Sequence, residues 1–260
     1  MGKSSKDKYE LGKEMFLQGK TIEYISKELR ISDSRFSKYL RECGIETNKY
    51  HKPKIDENVF NIIDTEEKAY WLGFWYADGY VSSNRNTVGV DLKPSDFKHL
   101  EKLKKFLKWS GDIKLEKTRC RLNFRSNKIK NDLMKHGCVP KKSLILQFPN
   151  HIKKEMLSYF IRGYFDGDGC LCYTEKTLEV SMIGTYEFLE VVCDIINIDK
   201  KRIYDLNKNK RTSRLVLSSK KDIENFLNYI YKDANIYLDR KYEKYKNLKI
   251  AVFDRNVKDN

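Results

Sequence analysis

The stretch "IRGYFDGDG", residues 161–169, combines an apolar segment with two aspartates and three glycines. An earlier stretch, "WLGFWYADG" at 71–79, shares glycine at its third and ninth positions and aspartate at its eighth. The apolar residues before each acid predict a helix. The carbonyl end of a helix carries partial negative charge and disfavours carboxylates, so both acids need an explanation beyond helix formation.

These paired nonapeptides belong to a longer internal repeat with a constant order. Three more segments recur at offsets of 89 to 99: "HLEKLKKFL" (99–107) with "FLEVVCDII" (188–196), "RLNFRS" (121–126) with "RLVLSS" (214–219), and "VPKKS" (139–143) with "LDRKY" (238–242). Loop insertions produce such a slow drift in offset, so four matches in register predict two half-domains of one design.

Each half is predicted to run helix, two strands, helix, two strands, helix. In "CRLNFRS", Leu122 and Phe124 alternate with polar and basic residues, which is typical of a strand with one apolar and one polar face. Such polar faces carry the side chains that contact bases and phosphates. An ordinary half-solvated sheet also has a polar face, and the strand pattern alone favours that interpretation.

The amino-acid composition limits the kinds of partner that this chain can bind. Among 260 residues, Lys and Arg outnumber Asp and Glu by 52 to 37, a net charge of +15 that favours nucleic acid as the partner. The alternative is solubility alone, although a small domain needs a charge of only about 2–8 for that. No apolar run spans a membrane and no signal peptide is present, so we expect no membrane partner and a cytoplasmic or organellar protein. Six scattered cysteines contain no C-x-x-C pair, which argues for reduced thiols and against zinc.

Residues 1–45 are predicted to form a separate unit of three short helices. The tight turn "RIS" joins the second and third helices, as in a helix-turn-helix that binds DNA. Its exposed contact residues would be Ser34, Arg35 and Lys38 on the third helix. The alternative is a three-helix bundle without DNA contact. Residues 46–60 have mixed charge, a proline and little periodicity, which is typical of a linker.

Glycine in a helix costs about 1 kcal/mol against alanine, so Gly73 and Gly163 imply a compensating close approach of two helices. Asp78 and Asp168 would then lie side by side, with the following glycines in the left-handed conformation that ends a helix. Two adjacent carboxylates repel unless a divalent cation such as Mg²⁺ bridges them to a phosphate. One Asp-Gly pair alone is more often only a helix end.

The paired nonapeptides resemble the two signatures of the LAGLIDADG homing endonucleases, and the resemblance covers about 61–250. It implies an α+β fold of two pseudo-symmetric αββαββα half-domains, residues 61–150 and 151–260, that form a saddle over double-stranded DNA. It also implies a monomeric, Mg²⁺-dependent endonuclease, in which Mn²⁺ substitutes, that cuts both strands at a long asymmetric site. The N-terminal helix-turn-helix is an addition to the family fold.

The family's site residues map onto this sequence position by position. The resemblance implies metal ligands at Asp78 and Asp168, together with the backbone carbonyls of Ala77 and Gly167. One basic residue per half would lie near the scissile phosphates, Lys142 and Lys241, with Lys141 and Arg240 as open alternatives. The sixth position departs from symmetry, since it is Tyr76 in the first half and Asp166 in the second; its implied role is packing and capping.

We expect the polar strand faces and their loops to contact DNA. In the first half these residues are Ser83, Asn84, Arg85, Asn86, Asp91, Lys93, Lys117, Arg121, Asn123 and Arg125. In the second half they are Tyr173, Glu175, Lys176, Glu179, Lys208, Lys210, Arg211 and Arg214.

Two other functions fit the same scaffold. A catalytically inactive DNA-binding regulator would usually lose one acid of the pair, and both acids are present. An RNA-splicing maturase could keep both, and only a splicing assay separates that role. A transcription factor built on residues 8–45 would leave the duplicated acids unexplained.

Overall fold

The computed structural model describes residues 5–47, 53–174, 176–206 and 212–253. The chain divides into two compact units, Met1–Pro53 and Lys54–Asn260. Within the described ranges, every helix is too short or too polar to cross a membrane.

The first unit consists of helices α1 (Ser5–Leu17), α2 (Ile22–Leu29) and α3 (Asp33–Glu42). Thr21 caps α2, because its hydroxyl accepts a hydrogen bond from the Tyr24 N–H at 3.2 Å. Arg30, in the left-handed region at φ 51°, ends α2 and turns the chain toward α3. Phe16, Ile25, Phe36 and Leu40 form the small core.

The second unit begins with what we call the first half. It comprises α4 (Glu66–Ala77), β1 (Gly79–Val81), β2 (Thr87–Leu92), α5 (Phe97–Phe106), β3 (Lys114–Leu115), β4 (Cys120–Arg125) and α6 (Asn127–Lys135). The strands form one antiparallel sheet in the order β1-β2-β4-β3. As the alternation predicts, Leu122 and Phe124 are buried while Arg121 and Asn123 are partly exposed.

The second half repeats this order. It comprises α7 (Leu157–Asp168), β5 (Gly169–Tyr173), β6 (Leu178–Gly184), α8 (Tyr186–Ile196), β7 (Ile203–Asp205), β8 (Ser213–Leu217) and α9 (Lys220–Tyr231), followed by α10 (Asp239–Leu248). Its sheet has the matching order β5-β6-β8-β7. The predicted α+β fold of two αββαββα halves is confirmed.

Helices α4 and α7 cross with their backbones in contact. A Cβ atom on Gly73 would overlap the carbonyl oxygen of Phe160 and lie 3.0 Å from the Tyr164 nitrogen. A Cβ atom on Gly163 would overlap the Tyr70 carbonyl oxygen in the same way. The close approach predicted from the two helical glycines is therefore present, and it explains why both positions lack a side chain.

The glycines after the two acids do not have the predicted left-handed conformation. Gly169 has φ −88° and ψ 159°, which is extended backbone, and Gly79 is not among the glycines with positive φ. Each is the first residue of a strand, β1 or β5, so the chain leaves the helix directly into the sheet. Glycine is required there for another reason: a Cβ atom would overlap the ring of Trp75 or of Phe165.

The second unit also begins earlier than the predicted linker ends. Val59 and Phe60 are buried in its core, and the Phe60 ring packs edge-on against Trp75 at 5.6 Å between centroids. The Asp56 N–H donates to the Leu107 carbonyl at 2.9 Å. Residues 54–60 are therefore part of the folded unit, and the prediction of a linker to residue 60 is wrong in that part.

Candidate functional site

The crossing of α4 and α7 brings Asp78 and Asp168 to the same place. Asp78 caps the C-terminus of α4 and Asp168 is the last residue of α7. Gly167 fits between them, since a Cβ there would overlap the Ala77 side chain and lie 3.2 Å from Oδ2 of Asp78. The two acids singled out from the sequence are therefore neighbours across the helix pair.

The surroundings disfavour negative charge on both carboxyl groups. Burial, and to a smaller extent the negative charge of Asp168, raises the pKa of Asp78 to about 6. Asp168 is exposed to solvent on one side, yet desolvation by the adjoining protein also raises its pKa. Such a pair is stabilised by a bound cation, because positive charge offsets both the desolvation and the mutual repulsion.

Two buried lysines supply positive charge beside the acids. Lys142 lies in a short 3₁₀ turn, Lys142–Leu144, and its Nζ donates to the carbonyls of Gly79 at 2.5 Å and Ala77 at 3.4 Å. Lys241, on α10, donates to Phe165 at 2.6 Å, Gly169 at 2.5 Å and Gly167 at 3.3 Å. The two lysines thus bind matching carbonyls at the ends of α4 and α7.

Burial lowers the pKa of both ammonium groups, to about 8 for Lys241 and in the same direction for Lys142. The acids Asp78 and Asp168 partly reverse this shift in each case. Two acids and two lysines therefore form one electrostatically linked group.

The open alternatives, Lys141 and Arg240, have different surroundings. Lys141 is exposed and takes a left-handed backbone conformation with φ 59°. The Nε of Arg240 contacts both carboxylate oxygens of buried Asp96 at 3.1 Å. Arg240 also lines the cleft described next, so it is the nearer of the two alternatives to the acids.

A polar cleft of about 340 Å³ opens beside Asp78 and Gly167. Its other walls carry charged and polar side chains from the first half and from α10: Asp91, Lys93, Asp96, Thr118, Arg119 and Arg240. Asp78 therefore has solvent access through this cleft. Arg119 was missed from the sequence because it lies in the turn before β4, outside the alternating pattern.

The remaining first-half residues expected to contact DNA lie on the sheet and its loops. Exposed positions are Ser83, Asn84, Arg85, Asn86, Lys93, Lys117 and Arg125, while Asp91, Arg121 and Asn123 are partly exposed. The Nε of Arg121 donates to Asp91 at 2.9 and 3.0 Å, and the two residues pair directly across β2 and β4. The pair holds the guanidinium on the polar face.

A similar pair lies in the second half. Nη2 of Arg214, on β8, donates to Glu179 at 2.6 Å and to the Ser181 hydroxyl at 2.9 Å, both on β6. Tyr173 and Lys176 are exposed near the end of the same sheet. Glu175, Lys208, Lys210 and Arg211 lie outside the described residues.

The available donors at the helix ends fit a magnesium ion. Carboxylates and backbone carbonyls are oxygen ligands, the type that Mg²⁺ prefers, and Asp78, Asp168, Ala77 and Gly167 supply them at the two helix ends. The Ala77 and Gly167 carbonyls also accept from Lys142 and Lys241. Within the described ranges, His, Cys, Asp and Glu nowhere gather in groups of three or more that could hold a metal. A metal at the two acids would therefore complete its shell with carbonyls, water and a phosphate.

In the N-terminal unit, Ser34, Arg35 and Lys38 are exposed on α3. The Ser34 hydroxyl lies 3.0 Å from that of Ser32, and Lys38 Nζ is 3.7 Å from Glu42. Phe36 and Leu40 lie on the opposite face, in the core. Thus α3 presents one basic face to solvent.

No protein-family model matches the chain, and no curated protein matches it. Among solved structures, it is similar to the LAGLIDADG homing endonuclease I-GzeII in complex with its DNA target, with 13% identity, a TM-score of 0.52, and coverage of 74% of this chain and 91% of that one. It is similar to I-LtrWI bound to target DNA, with 13% identity, a TM-score of 0.51, and coverage of 78% and 93%. I-CpaMI bound to uncleaved DNA matches with 14% identity, a TM-score of 0.51, and coverage of 73% and 92%. The chain has the fold of the LAGLIDADG homing endonucleases.

Proposed function

We propose that this chain is a site-specific endonuclease that hydrolyses both strands of duplex DNA at a long asymmetric site. The observation that carries the proposal is the pairing of Asp78 and Asp168 at the ends of two crossing helices, within a fold shared with DNA endonucleases. A protein that only bound DNA would have no need for two destabilising carboxyl groups at that place.

Electrostatics support DNA as the partner. The net charge of +15 favours binding through release of the counterions condensed on a duplex. Arg121 and Arg214, which pair with carboxylates on the polar faces, would donate to guanine edges in the major groove. Because one chain supplies both acids, a monomer suffices for cleavage of both strands.

Mg²⁺, or Mn²⁺ in its place, would be held by Asp78 and Asp168 with the carbonyls of Ala77 and Gly167. When bound, such an ion polarises the scissile phosphate and lowers the pKa of the attacking water. Lys142 and Lys241 would stabilise the charge that develops on the two phosphates. The cleft beside Asp78 opens to solvent, so the proton released by the attacking water would leave through it.

The basic face of α3 is proposed to bind the same DNA molecule. Ser34, Arg35 and Lys38 are exposed there, as on the recognition helix of a helix-turn-helix. Such a contact would lengthen the target site beyond the part covered by the two sheets. It would raise affinity without any change at the acids, because phosphate contacts add to binding wherever they occur.

The test begins with a library of random duplexes incubated with the full-length protein and Mg²⁺, followed by sequencing of the cleaved ends. On a recovered site, Asp78→Asn and Asp168→Asn should each abolish double-strand cleavage and retain binding. Asp233→Asn is the matched control, since Asp233 is exposed and lies beyond α9. Double-strand cleavage at the wild-type rate by either site variant would contradict the proposal. Binding by wild type with no cleavage in Mg²⁺ or Mn²⁺ would also contradict it, and would leave the regulator and the maturase as the alternatives.

A further inference from the structure

The sixth residue of each nonapeptide is buried and bonded to the chain segment that carries the lysine of its own half. Asp166 is fully buried on α7, and Tyr76 is 2% exposed on α4. The two side chains differ in chemistry, yet each contacts the backbone a few residues before that lysine, at His136 or at Leu238. This shared placement is more than packing requires.

In the second half, the carboxylate of Asp166 accepts a hydrogen bond from the backbone. The Leu238 N–H donates to Oδ2 of Asp166 at 2.7 Å, and the Leu238 carbonyl accepts from the Lys241 N–H at 2.9 Å. The Lys241 side chain then returns to the carbonyls of Phe165 and Gly167, the residues on either side of Asp166. Asp166 and Lys241 therefore close a ring between α7 and the first turn of α10.

In the first half, the hydroxyl of Tyr76 donates a hydrogen bond to the backbone. The Tyr76 hydroxyl donates to the His136 carbonyl, and the next residue, Gly137, has φ 100°. A Cβ atom on Gly137 would overlap the Tyr76 hydroxyl, so the segment lies directly against it. The chain then reaches Lys142, whose side chain returns to the Ala77 carbonyl next to Tyr76. The first half therefore has the same closed arrangement of helix end and lysine segment as the second half, but here the side chain of the sixth residue donates the hydrogen bond instead of accepting it.

Asp166 also accepts hydrogen bonds from two tyrosine hydroxyl groups. Tyr231, on α9, donates to Oδ1 at 2.5 Å, and Tyr70, on α4, donates to Oδ2 at 2.8 Å. Three donors compensate a buried carboxylate that would otherwise be costly. A neutral amide side chain has one acceptor oxygen instead of two and carries no charge, so it cannot accept at both the Oδ1 and the Oδ2 positions as the Asp166 carboxylate does.

We propose that Tyr76 and Asp166 are positioning residues, each of which sets the lysine of its own half against one scissile phosphate and thereby controls cleavage of one strand. This inference rests on the proposed endonuclease function. It predicts that the two residues act on different strands, although they occupy equivalent positions on the two helices. A residue that served only the stability of the helix pair would affect both strands alike.

The experiment resolves the two strands. The full-length protein is mixed in excess with a cleaved duplex recovered from the random library, with a different dye on each strand, and single-turnover rates are measured in Mg²⁺. Asp166→Asn should slow one strand by about tenfold or more, because small misplacements of a reacting group are costly, and leave the other within about twofold. Nicked duplex should accumulate. Tyr76→Phe should slow the opposite strand.

Tyr164→Phe is the matched control for loss of a buried hydroxyl. Tyr164 lies on α7 between Gly163 and Phe165, but its hydroxyl donates to the Ile183 carbonyl on β6 at 2.7 Å and not to either lysine segment. In Tyr164→Phe, the cleavage rates of the two DNA strands should stay equal to each other. Asp166→Asn should add no further slowing to a Lys241→Ala variant, since Asp166 acts through that lysine.

Equal slowing of both strands, slowing of the same strand by both variants, or unchanged rates would overturn the proposal. Circular dichroism melting checks that each variant is folded. If Asp166→Asn does not fold, Asp166 is a structural residue and the proposal fails for the second half, while Tyr76→Phe still decides the first. A wild-type protein that cuts no duplex overturns the proposed function itself, an outcome distinct from uniform slowing in the variants.

Discussion

Gly73 and Gly163 each face the backbone of the other's helix, so that a side chain on either would overlap a carbonyl oxygen across the crossing. The aspartates follow each glycine at the same interval, at 78 and 168. The glycine contact therefore fixes how far apart the two carboxyl groups can be. Stability and the geometry of the acids depend on the same pair of residues.

Gly73→Ala or Gly163→Ala should lower the free energy of unfolding by about 3 kcal/mol, because the new methyl group meets rigid backbone. Urea denaturation measures the loss. Gly184→Ala is the control, since its Cβ would come no closer than 3.1 Å to any of its nearest neighbours and would meet side chains rather than backbone. Equal stability of Gly73→Ala and Gly184→Ala would contradict this account of the crossing.

His99 should make stability depend on pH. Its ring is buried, Nε2 lies 3.1 Å from the Tyr70 hydroxyl, and burial lowers its pKa to about 3. The unfolded chain takes up the proton near pH 6.5 while the folded chain does not, so stability present above that pH is lost as pH falls. From pH 7 to pH 5 the loss from this group should be about 2 kcal/mol.

Urea unfolding at both pH values checks the His99 prediction. His99→Gln should be less stable at pH 7 yet lose less on acidification, since glutamine does not titrate. His151→Gln should keep most of the wild-type pH dependence, because His151 is exposed. The same change between pH 7 and pH 5 in His99→Gln and wild type would show that another group is responsible.

Arginines on the polar strand faces should specify bases. Arg121→Ala and Arg214→Ala should each relax the preference at one position, in different halves of the site, by about 1–3 kcal/mol of discrimination. Lys117, exposed in the loop before β4, should act on phosphates, so Lys117→Ala should weaken binding to all sequences alike. Binding to duplexes with single base-pair changes, measured without divalent metal, separates the two effects. If both arginine variants weaken binding to all of these duplexes alike, Arg121 and Arg214 do not recognise bases.

The basic face of α3 should contribute to the salt dependence of DNA binding. Arg35→Ala combined with Lys38→Ala should reduce the slope of log affinity against log salt by about 2. The control removes two exposed lysines of the same unit outside α3, Lys20→Ala with Lys27→Ala, and should leave the slope nearly unchanged. Equal reductions in both would assign the effect to net charge rather than to α3.

The sequence predicts the fold well because its decisive signals are local and repeated. Strand alternation around Leu122 needs only neighbouring residues, and the glycine at the third position of each nonapeptide identifies the helix contact. The partners of Asp166, by contrast, lie 65, 72 and 96 residues away in sequence. No local pattern indicates that its carboxylate binds Leu238, so its role beyond packing and capping emerges only in three dimensions.

Local rules also explain the two errors. An Asp-Gly pair after a helix is typical of a left-handed cap, but here Asp78 ends the helix and the glycine already belongs to the strand. The charged residues of 54–60 suggest a linker, whereas Val59 and Phe60 are the apolar exceptions that join the core. In both cases a long-range contact decides the outcome, the sheet in the first and the Trp75 ring in the second.

The different sixth residues have a consequence for any attempt to re-engineer such a chain as a symmetric dimer. In the internal repeat, Phe160 corresponds to Tyr70, and phenylalanine has no hydroxyl to offer. A homodimer assembled from two copies of the second half would therefore leave each Asp166 without one of its two phenolic donors. The two halves are therefore complementary rather than interchangeable at this contact, and a symmetric dimer of the second half would need tyrosine at position 160 to supply the missing donor.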